Sequence, residues 1–356
     1  MNIFILFKGN KSDSTFIIKQ FSCIKEIKKI FVFRDEIGYQ NKKVIYIQPN
    51  IRKYALLKNM EKLFQMIRFR KFKPVIIIGI YEIPHGLLAT FAGKILNIPS
   101  AISIIGNPAY KKIRRGFRNI LTFLILKICN FVTVTGHNSK KYLLENGINT
   151  NKIFIMPNNI SIESYYKMNI KKEYDLISLG RISAEKHIDI FVQIIASLKT
   201  SIPNIKAAIG GNGPELNKIN DLIFIKKLEN NIDLLGYIPD NKLRSFFNKG
   251  KIFILTSETE GLPRTLVQAA ACCVPIVTSK VGDIENFIKH EENGFIVDQY
   301  DDIYQYVNLI KRLLKNKRTY HEFSKKIRLI AQENYSNRNS CNIWKKIIKN
   351  INTSST

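Results

Sequence analysis

The chain alternates short apolar runs with longer segments whose apolar residues recur at helical spacing. Short apolar runs bounded by turn residues predict buried strands, and the segments between them predict helices. This alternation is typical of α/β architecture with parallel sheets. In the first half, strands are predicted at Asn2–Phe7, Lys29–Phe33, Lys43–Ile47, Pro74–Ile80, Ser100–Ile105, Phe131–Thr135 and Lys152–Met156.

A polar segment, Pro157–Lys172, follows neither period, and the alternation restarts after it. The sequence therefore predicts two sheets in succession, one in an N-terminal domain over residues 1–165 and one in a second domain over residues 166–335. Helices are expected notably at Ile51–Phe69, Gly86–Leu96, Lys112–Ile128 and Ser139–Glu145. Strands of the second domain are predicted at Tyr174–Ser178, Lys206–Ile209, Ile232–Leu234, Ile252–Leu255, Pro275–Thr278 and Gly294–Val297.

The strongest chemical signal lies in the turn after Leu255, where Glu260 and Gly261 precede a helical pattern. Since Pro263 suits the first helical position, the helix is expected to begin at Leu262 or Pro263. Free N–H groups of a first helical turn attract an anion, usually a phosphate. A carboxylate beside a phosphate site suits a ligand that also carries hydroxyl groups, as sugars do. The simpler alternative is a surface Glu followed by an ordinary amphipathic helix.

Two other strand ends of the second half carry suitable residues. Arg181 and Lys186 follow the strand that ends at Ser178, and a glycine cluster, GGNG, follows Ile209. Ligands of open parallel sheets bind beyond the carboxyl ends of strands, so these positions favour a shared site. The glycine cluster alone is weak evidence, because the spacing of a dinucleotide turn is not met. The two cations could also be ordinary surface residues of a Lys-rich chain.

Composition adds few constraints. The net charge of +28 and the pI of 9.8 suggest a polyanionic partner, but Lys, Ile and Asn are used heavily from end to end. No apolar run is long enough to span a bilayer, and the start, MNIFILF, is too short for a signal peptide. The five cysteines form no C-x-x-C pair and are odd in number, so a reduced, cytosolic protein without a zinc site is expected.

Taken together, these residues resemble the retaining glycosyltransferases of family 4, which have the GT-B fold of two Rossmann-like domains with parallel sheets facing a central cleft. The resemblance covers nearly all of Tyr174–Val297 and is fainter in HGLLATFAGKILNIPSA and TGHNSKKYLLENGINTNKIFIMPNNI of the first half. It implies that a C-terminal helix, over residues 336–356, crosses back to the first domain. The matching stretches are LGRISAEKHIDIFVQII, IGGNGPEL, LLGYIPDNKL, SETEGLPRTLVQAAACCVPIVTSKVGDIENFI and NGFIV.

The resemblance implies a role for each matched position. Arg181 and Lys186 should grip the diphosphate of a nucleotide-sugar donor, and Glu260 should contact the sugar hydroxyls. The chain departs from the family at Gln268, where the family has a second Glu that holds the ribose, and at Asp283, to which we carry no role. An amide accepts only through its oxygen, so altered ribose binding is expected. Further donor contacts are expected from Gly180, Asn212, Gly213, Gly236, Ile238, Gly261, Leu262, Pro263 and Gln268.

The family retains anomeric configuration and uses no metal or other cofactor, so the implied activity is transfer of a sugar from a nucleotide-diphosphate sugar to a glycan or lipid-linked acceptor in surface polysaccharide biosynthesis. The sequence offers no carboxylates paired for double displacement, and front-side attack is the working hypothesis. The family often has a His near the sugar after the strand predicted at Ser100–Ile105. This chain has Asn107 there, so the acceptor candidates are His85, Asn107 and His137. The other three His residues are treated as surface residues: His187, His290 and His321.

A basic stretch in the first domain, Lys111–Arg118, precedes an apolar run. A helix of this kind can lie on an anionic membrane, or it can be a core helix with a basic first turn, and both readings stay open. The segment Ile51–Lys73 repeats the basic bias. A lipid-linked acceptor is therefore favoured, with a cytoplasmic location that includes the inner face of a membrane.

Three other functions are compatible with parts of the pattern. Another GT-B enzyme, such as a nucleotide-sugar epimerase, would need acid and base groups that the sequence does not obviously offer. A transferase-like subunit without catalysis is made credible by Gln268 and the missing His. A nucleic-acid partner is not expected, because it would favour basic residues clustered with exposed aromatics.

Overall fold

The computed structural model describes residues 1–8, 11–51, 53–110 and 116–353. The chain divides into two compact units, the first formed by Met1–Asn159 with Asn337–Thr356 and the second by Ile160–Ser336. Each unit contains one parallel sheet covered by helices. Across the described residues, no helix is long and apolar enough to cross a membrane.

The first unit is built on a parallel sheet of seven strands within the described residues. Along the sheet their order is 3-2-1-4-5-6-7 in chain numbering, so the chain reverses direction across the sheet between the first and fourth strands. The strands are β1 (Asn2–Leu6), β2 (Lys29–Phe33), β3 (Val44–Ile47), β4 (Pro74–Ile80), β5 (Ser100–Ser103), β6 (Phe131–Val134) and β7 (Ile153–Ile155).

Helices cover both faces of this sheet. Successive side chains of β1 alternate between two cores: Ile3 and Ile5 pack on one side, and Phe4 and Leu6 on the other. Because both faces are buried, the strand has a continuous apolar sequence rather than alternating polarity. The helices of this unit before the chain leaves it are α1 (Lys11–Ser22), α2 (Ala55–Phe69), α3 (Leu87–Leu96), α4 (Phe117–Ile128) and α5 (His137–Glu145).

The second unit repeats the design with six parallel strands in the described residues, in the order 10-9-8-11-12-13. The strands are β8 (Tyr174–Leu179), β9 (Ala207–Gly210), β10 (Ile232–Gly236), β11 (Gly250–Leu255), β12 (Ile276–Ser279) and β13 (Phe295–Val297). The helices are α6 (Ile188–Lys199), α7 (Leu216–Ile225), α8 (Asp240–Lys249), α9 (Arg264–Ala271), α10 (Ile303–Lys315) and α11 (Lys317–Asn334). The predicted α/β class with two parallel sheets is confirmed.

The last helix, α12 (Asn337–Thr353), belongs to the first unit and packs against α1. Trp344 is 1% exposed and packs against Phe21 of α1, with the ring centroids 4.7 Å apart and the ring planes tilted by 43°. The same packing brings Cys23 and Cys341 together as a disulfide with Cα atoms 6.6 Å apart. The expectation of five reduced cysteines is therefore wrong for this pair, because counting cysteines cannot reveal a contact across 318 residues.

Three predicted helix starts need correction. Helix α2 begins at Ala55, four residues after the predicted Ile51, because Tyr54 is its extended N-cap with φ −100° and ψ 110°. Helix α9 begins at Arg264, and Pro263 is its N-cap with φ −64° and ψ 130°, because the fixed φ of proline also suits an extended residue. Helix α4 begins at Phe117, since Gly116 has φ 57° and cannot continue a helix from Lys112. The residues from Lys111 to Arg115 lie outside the described part of the chain.

Candidate functional site

The two charged residues singled out in the second unit meet in the structure. Strands β8 and β11 are neighbours in the sheet, so the loops that follow them lie side by side. The Nζ atom of Lys186, on the first loop, contacts the Oε1 atom of Glu260, on the second loop. Their side chains are 22% and 12% exposed, so this is a partly buried ion pair that stays open to solvent.

Neighbouring hydroxyl groups hold this pair in place. The hydroxyl of Thr256 donates to the backbone oxygens of Lys186 at 3.1 Å and His187 at 2.8 Å. Ser257 donates to Glu260 Oε1 at 2.9 Å, and the carbonyl of Ser257 accepts from the Ser279 hydroxyl at 2.7 Å. Residues that follow three strands, β8, β11 and β12, thus hold the ammonium and the carboxylate in fixed positions.

Arg181 lies on the same loop as Lys186 and is exposed. Both cations act on Glu185, which stands between them in sequence. Burial alone would raise the pKa of Glu185, but the Ser183 hydroxyl, the backbone N–H and the charges of Lys186 and Arg181 together lower it. The loop after β8 therefore presents positive charge at the carboxyl edge of the sheet, where ligands of parallel sheets bind.

Glycines let the loops after β8, β9 and β10 pack backbone against backbone. Gly180 donates its N–H to Gly210 at 3.1 Å, and Gly211 donates to Gly236 at 2.7 Å. Gly211 has φ 131°, and a Cβ there would lie 1.8 Å from the carbonyl oxygen of Gly180. No other residue fits at 211, so the glycine cluster has a packing role that its sequence spacing did not reveal.

The other predicted donor contacts of this edge lie in the same loops. A Cβ on Gly213 would lie 2.1 Å from the oxygen of Ile182, so this glycine also serves loop packing. The side chain of Asn212 accepts from the N–H of Gly213 at 2.7 Å, and its backbone oxygen accepts from Ile182 at 3.0 Å. Ile238 packs over Gly210, where a Cβ would lie 2.5 Å from Ile238 Cδ1.

The turn that carries Glu260 is supported by the loop after β12. Gly261 and Leu262 are buried, and the N–H of Asp283 donates to the oxygen of Gly261 at 2.9 Å. Gly282 has φ 55°, and a Cβ there would lie 1.9 Å from the Glu260 oxygen. No role was predicted for Asp283, and the structure shows that it and its neighbours shape the Glu260 turn.

One atom of this turn is buried without a protein partner. The hydroxyl oxygen of Thr259 makes no hydrogen bond to any described residue. A buried hydroxyl without a partner costs free energy, so such an atom calls for a water or a ligand. Thr259 precedes Glu260 directly, which places this unsatisfied group within the candidate site.

Gln268 is half-buried in the second turn of α9. Its Nε2 donates to the phenolic oxygen of Tyr165 at 2.7 Å. Burial, followed by the charge of Asp240, raises the pKa of Tyr165 to about 12, so the phenol is neutral at physiological pH. The resembled family has no amide group at this position. In this chain the N–H2 of that amide is engaged by Tyr165.

His187 is not the simple surface residue expected from the sequence. Its side chain is 23% exposed and its ring stacks on Tyr300 at 4.3 Å. The ring nitrogens lie 3.6 Å from the carboxylates of Asp189 and Glu258. Because Glu258 and Thr256 belong to the Glu260 loop, His187 joins the support of the ion pair, through contacts that no local sequence pattern signals.

In the first unit, the candidates His85, Asn107 and His137 follow β4, β5 and β6, which are adjacent strands. His85 is 6% exposed, and burial, followed by the charge of Lys62, lowers its pKa to about 4. Asn107 accepts from the Ala109 N–H at 2.9 Å, and His137 is exposed at the start of α5. The structure places the three at one edge of the sheet and shows no chemistry that singles one out.

A partly buried ion network lies next to His85. Lys58 and Lys62 of α2 both contact the Asp35 carboxylate, at 2.6 and 2.7 Å. Burial alone would raise the pKa of Asp35, but these two partners lower it to about 2. Among the described residues, no group of three or more His, Cys, Asp or Glu is placed to hold a metal ion.

Comparison with known families finds a match to the second unit. The family model for Glycosyl transferases group 1 matches residues 163–329, just under half of the chain. All residues of the Lys186 and Glu260 site, from Tyr165 to Asp283, lie within the matched residues.

Curated relatives include two kinds of transferase. The chain is 23% identical over 217 residues to the GPI3 subunit of phosphatidylinositol N-acetylglucosaminyltransferase from Saccharomyces cerevisiae, covering 57% of this chain and 48% of that protein. It is 24% identical over 288 residues to the capsular polysaccharide biosynthesis glycosyltransferase CapM of Staphylococcus aureus, covering 75% and 74%. The chain thus spans about half of the length of the yeast relative.

Solved structures confirm the fold of the whole chain. A crystal structure of Anabaena Alr3699/HepE in complex with UDP and glucose superposes with a TM-score of 0.84 at 14% identity, covering 98% of this chain and 99% of that one. Sucrose-phosphate synthase from Thermosynechococcus elongatus gives a TM-score of 0.83 at 15% identity, covering 99% and 100%. The predicted GT-B class, as two Rossmann-like α/β units with parallel sheets, is confirmed.

Proposed function

We propose that this protein is a retaining glycosyltransferase of family 4 that moves a sugar from a nucleoside diphosphate sugar to a hydroxyl group of a glycan or lipid-linked acceptor, in surface polysaccharide biosynthesis. The observation that carries the proposal is the contact between Lys186 and Glu260 at the carboxyl ends of β8 and β11. A cation and a carboxylate held together there suit a ligand with both phosphate oxygens and sugar hydroxyls.

The two residues have complementary roles in this reaction. The two side chains contact each other, and the proposed donor would exchange this ion pair for one contact with each residue. Lys186, together with the exposed Arg181, stabilises the negative charge that develops on the departing diphosphate. Glu260 accepts hydrogen bonds from the sugar hydroxyls and holds the anomeric carbon toward the acceptor. Removal of one such preorganised donor typically lowers the rate by about 10²–10³.

The surrounding residues support a nucleotide as the rest of the donor. Thr259 offers a buried hydroxyl without a protein partner beside Glu260. Gln268 keeps its amide oxygen for a ribose hydroxyl while its nitrogen is engaged by Tyr165. The crystal structure of Anabaena Alr3699/HepE contains UDP and glucose, which favours a uridine nucleotide as the first donor to test. No metal is needed, since Arg181 and Lys186 supply the positive charge.

The names of the relatives support a glycan or lipid-linked acceptor. One group acts on phosphatidylinositol by name, and CapM is named for capsular polysaccharide biosynthesis. We place the protein in the cytoplasm, peripheral to the inner face of a membrane, where such acceptors are presented.

The test measures both donor binding and turnover. Thermal shift with uridine, guanosine and adenosine diphosphate sugars identifies the donor, because a ligand of the native state raises the melting temperature. Nucleotide release with that donor is then compared between the wild type, Lys186→Ala and Glu260→Gln. We expect losses of about 10²–10³ in both variants. NMR of the product's anomeric proton tests retention.

Arg312→Ala serves as the control. Arg312 pairs with Glu291 and stacks on Phe295 at the amino end of β13, at the edge of the sheet opposite to the candidate site. Its activity should equal that of the wild type. If Lys186→Ala and Glu260→Gln also match the wild type, the proposed site is wrong. Donor binding without turnover, with every acceptor tried, would instead favour a non-catalytic subunit.

A further inference from the structure

Three neighbouring helices of the first unit each expose an apolar stripe to solvent. On α2, Leu56, Met60 and Phe64 recur at intervals of four residues and are 73%, 45% and 63% exposed. On α3, Phe91 and Ile95 are 57% and 52% exposed. Such spacing aligns the side chains along one face of a helix. The stripe of α4 consists of Phe117, Ile120, Leu124 and Ile128.

These stripes form one surface. Helix α3 packs between α2 and α4, and the opposite sides of the three helices are buried against the sheet through Met66, Ala92 and Leu126. Each exposed stripe therefore points away from the sheet on the same side of the unit. We call the exposed apolar residues of α2, α3 and α4 the three-helix surface. Exposed apolar patches of this extent mark an interaction site.

Basic residues accompany the apolar stripes. Arg68 follows Phe64 by one turn, Lys94 adjoins Ile95, and Lys127 adjoins Ile128, and all three cations are exposed. Residues 53–128 contain fourteen Lys and Arg but only two acids, whereas the whole chain contains 56 and 28. This excess goes beyond the basic composition of the chain as a whole, and so it needs a local explanation.

The one acid within α2 faces the loop that precedes the helix. The carboxylate of Glu61 accepts the backbone N–H groups of Asn50 and Ile51 at 2.8 and 2.9 Å. It is thus engaged by the loop that precedes the helix. Helices α3 and α4 contain no Asp or Glu. The three-helix surface is consequently apolar and positive at the same time.

A groove at the end of this surface adds a place for a single head group. It has a volume of about 640 Å³ and lies where α2 and α3 end. Its lining combines four cations with apolar side chains: Arg68, Arg70, Lys71, Lys73, Leu96 and Ile98. Cations beside an apolar wall fit a phosphate joined to an acyl chain.

We propose that the three-helix surface docks on a bilayer that contains anionic phospholipids. The apolar side chains enter the interface, and the neighbouring Lys and Arg side chains reach lipid phosphates. A second copy of this chain is a poorer occupant, because a symmetric contact would bring two positive surfaces together. The proposal deepens the proposed function by naming where a lipid-linked acceptor is met. Vesicle binding requires neither donor nor turnover, so either idea can fail without the other.

Co-sedimentation with vesicles tests the proposal. We expect the protein to bind vesicles of phosphatidylcholine with about a third phosphatidylglycerol, and to bind pure phosphatidylcholine about tenfold or more weakly. A triple variant with one change on each helix, Phe64→Ser, Phe91→Ser and Leu124→Ser, should lose binding about tenfold or more. A second triple variant reverses three charges, Arg68→Glu, Lys94→Glu and Lys127→Glu, and should also lose vesicle binding about tenfold or more. These positions are exposed, so the melting temperature should not change.

A matched control uses exposed apolar residues elsewhere. Phe224 and Ile225 of α7 are each 70% exposed, and the variant Phe224→Ser with Ile225→Ser should bind vesicles like the wild type. Quenching by brominated lipids should affect Phe64→Trp but not Phe224→Trp, since the native Trp344 is buried. Unchanged binding by the apolar triple variant would overturn the proposal. The proposal would also be overturned if the wild type forms a dimer and does not bind vesicles, while the apolar triple variant is a monomer. The occupant of the three-helix surface would then be a second copy of the chain.

Discussion

Gln268 donates a hydrogen bond of 2.7 Å from Nε2 to the phenolic oxygen of Tyr165. The two residues lie 103 positions apart, one in α9 and the other near the start of the second unit, before β8. The phenol is mostly buried and packs edge-on against Phe247, with ring centroids 6.4 Å apart. The pair therefore fixes which end of the amide can face a ligand.

The first prediction concerns the ribose of the donor. In Gln268→Glu, one carboxylate oxygen accepts from Tyr165 and the other accepts from the ribose hydroxyls with full charge. Hydrogen bonds to charged groups are stronger, so the donor KM should fall roughly three- to tenfold at unchanged kcat. In Tyr165→Phe the amide loses its partner, and the donor KM should rise by a similar factor. If steady-state kinetics show the same KM in all three proteins, Gln268 does not contact the donor.

The second prediction concerns the free energy that couples Lys186 to Glu260. Loss of the ammonium leaves a carboxylate that is 12% exposed and, among the described residues, retains the hydrogen bond from the Ser257 hydroxyl. Lys186→Ala should therefore lower the free energy of unfolding by about 1–3 kcal/mol, measured by urea denaturation. The double variant Lys186→Ala with Glu260→Ala should lower the free energy of unfolding by less than the sum of the two single variants. Strict additivity would show that the two groups do not interact in solution.

The third prediction separates backbone strain from steric contact at a glycine. Gly282→Ala should lower the free energy of unfolding by roughly 2–4 kcal/mol, because alanine at φ 55° is strained and its Cβ would lie 1.9 Å from the Glu260 oxygen. The rate of nucleotide release should also fall, because the Glu260 turn must move to make room for the alanine Cβ.

Gly147→Ala provides the comparison for this change. Gly147 has φ 76°, but the nearest atoms to its Cβ would be those of the flexible Lys127 side chain at 3.8 Å. Gly147→Ala should lower the free energy of unfolding by only about 1–2 kcal/mol, because it introduces backbone strain without a steric clash. Nucleotide release should be unchanged. Equal losses of stability in the two variants would mean that the Gly282 loop does not press on the Glu260 turn.

Much of this architecture could be predicted from the sequence, because strands buried on both faces have an unmistakable apolar signature. The strands at Lys29–Phe33 and Pro74–Ile80 have the bounds that the pattern predicts. The contact between Lys186 and Glu260 was also predictable, since both residues lie in loops that follow buried strands. Lys186 stands seven residues after the end of β8, and Glu260 stands five residues after the end of β11.

The remainder depends on contacts between distant parts of the chain. The support of Lys186 by Thr256, the stacking of His187 on Tyr300 and the disulfide of Cys23 with Cys341 join residues that no short pattern connects. The start of α9 was missed for a local reason, because proline fixes φ but leaves ψ free to be extended or helical. Composition alone did not reveal the three-helix surface, since apolar periodicity does not distinguish a buried stripe from an exposed one.

The last prediction follows from His85 and the sign of its titration. Burial, followed by the charge of Lys62, lowers its pKa from 6.5 to about 4 in the folded protein, against weaker opposing effects of a hydrogen bond to the Ile80 backbone and of the Asp35 charge. Between these two values the unfolded chain binds the proton and the native protein does not. Stability from this residue is therefore complete above about pH 6.5 and is lost as the pH falls toward 4, by about 3 kcal/mol in total.

Urea denaturation at about pH 7 and pH 4.5 should show this loss in the wild type, and His85→Gln should remove most of it. His137→Gln, at an exposed position, should keep the full pH dependence. A wild type whose free energy of unfolding is the same at both pH values would show that His85 is not buried as a neutral ring.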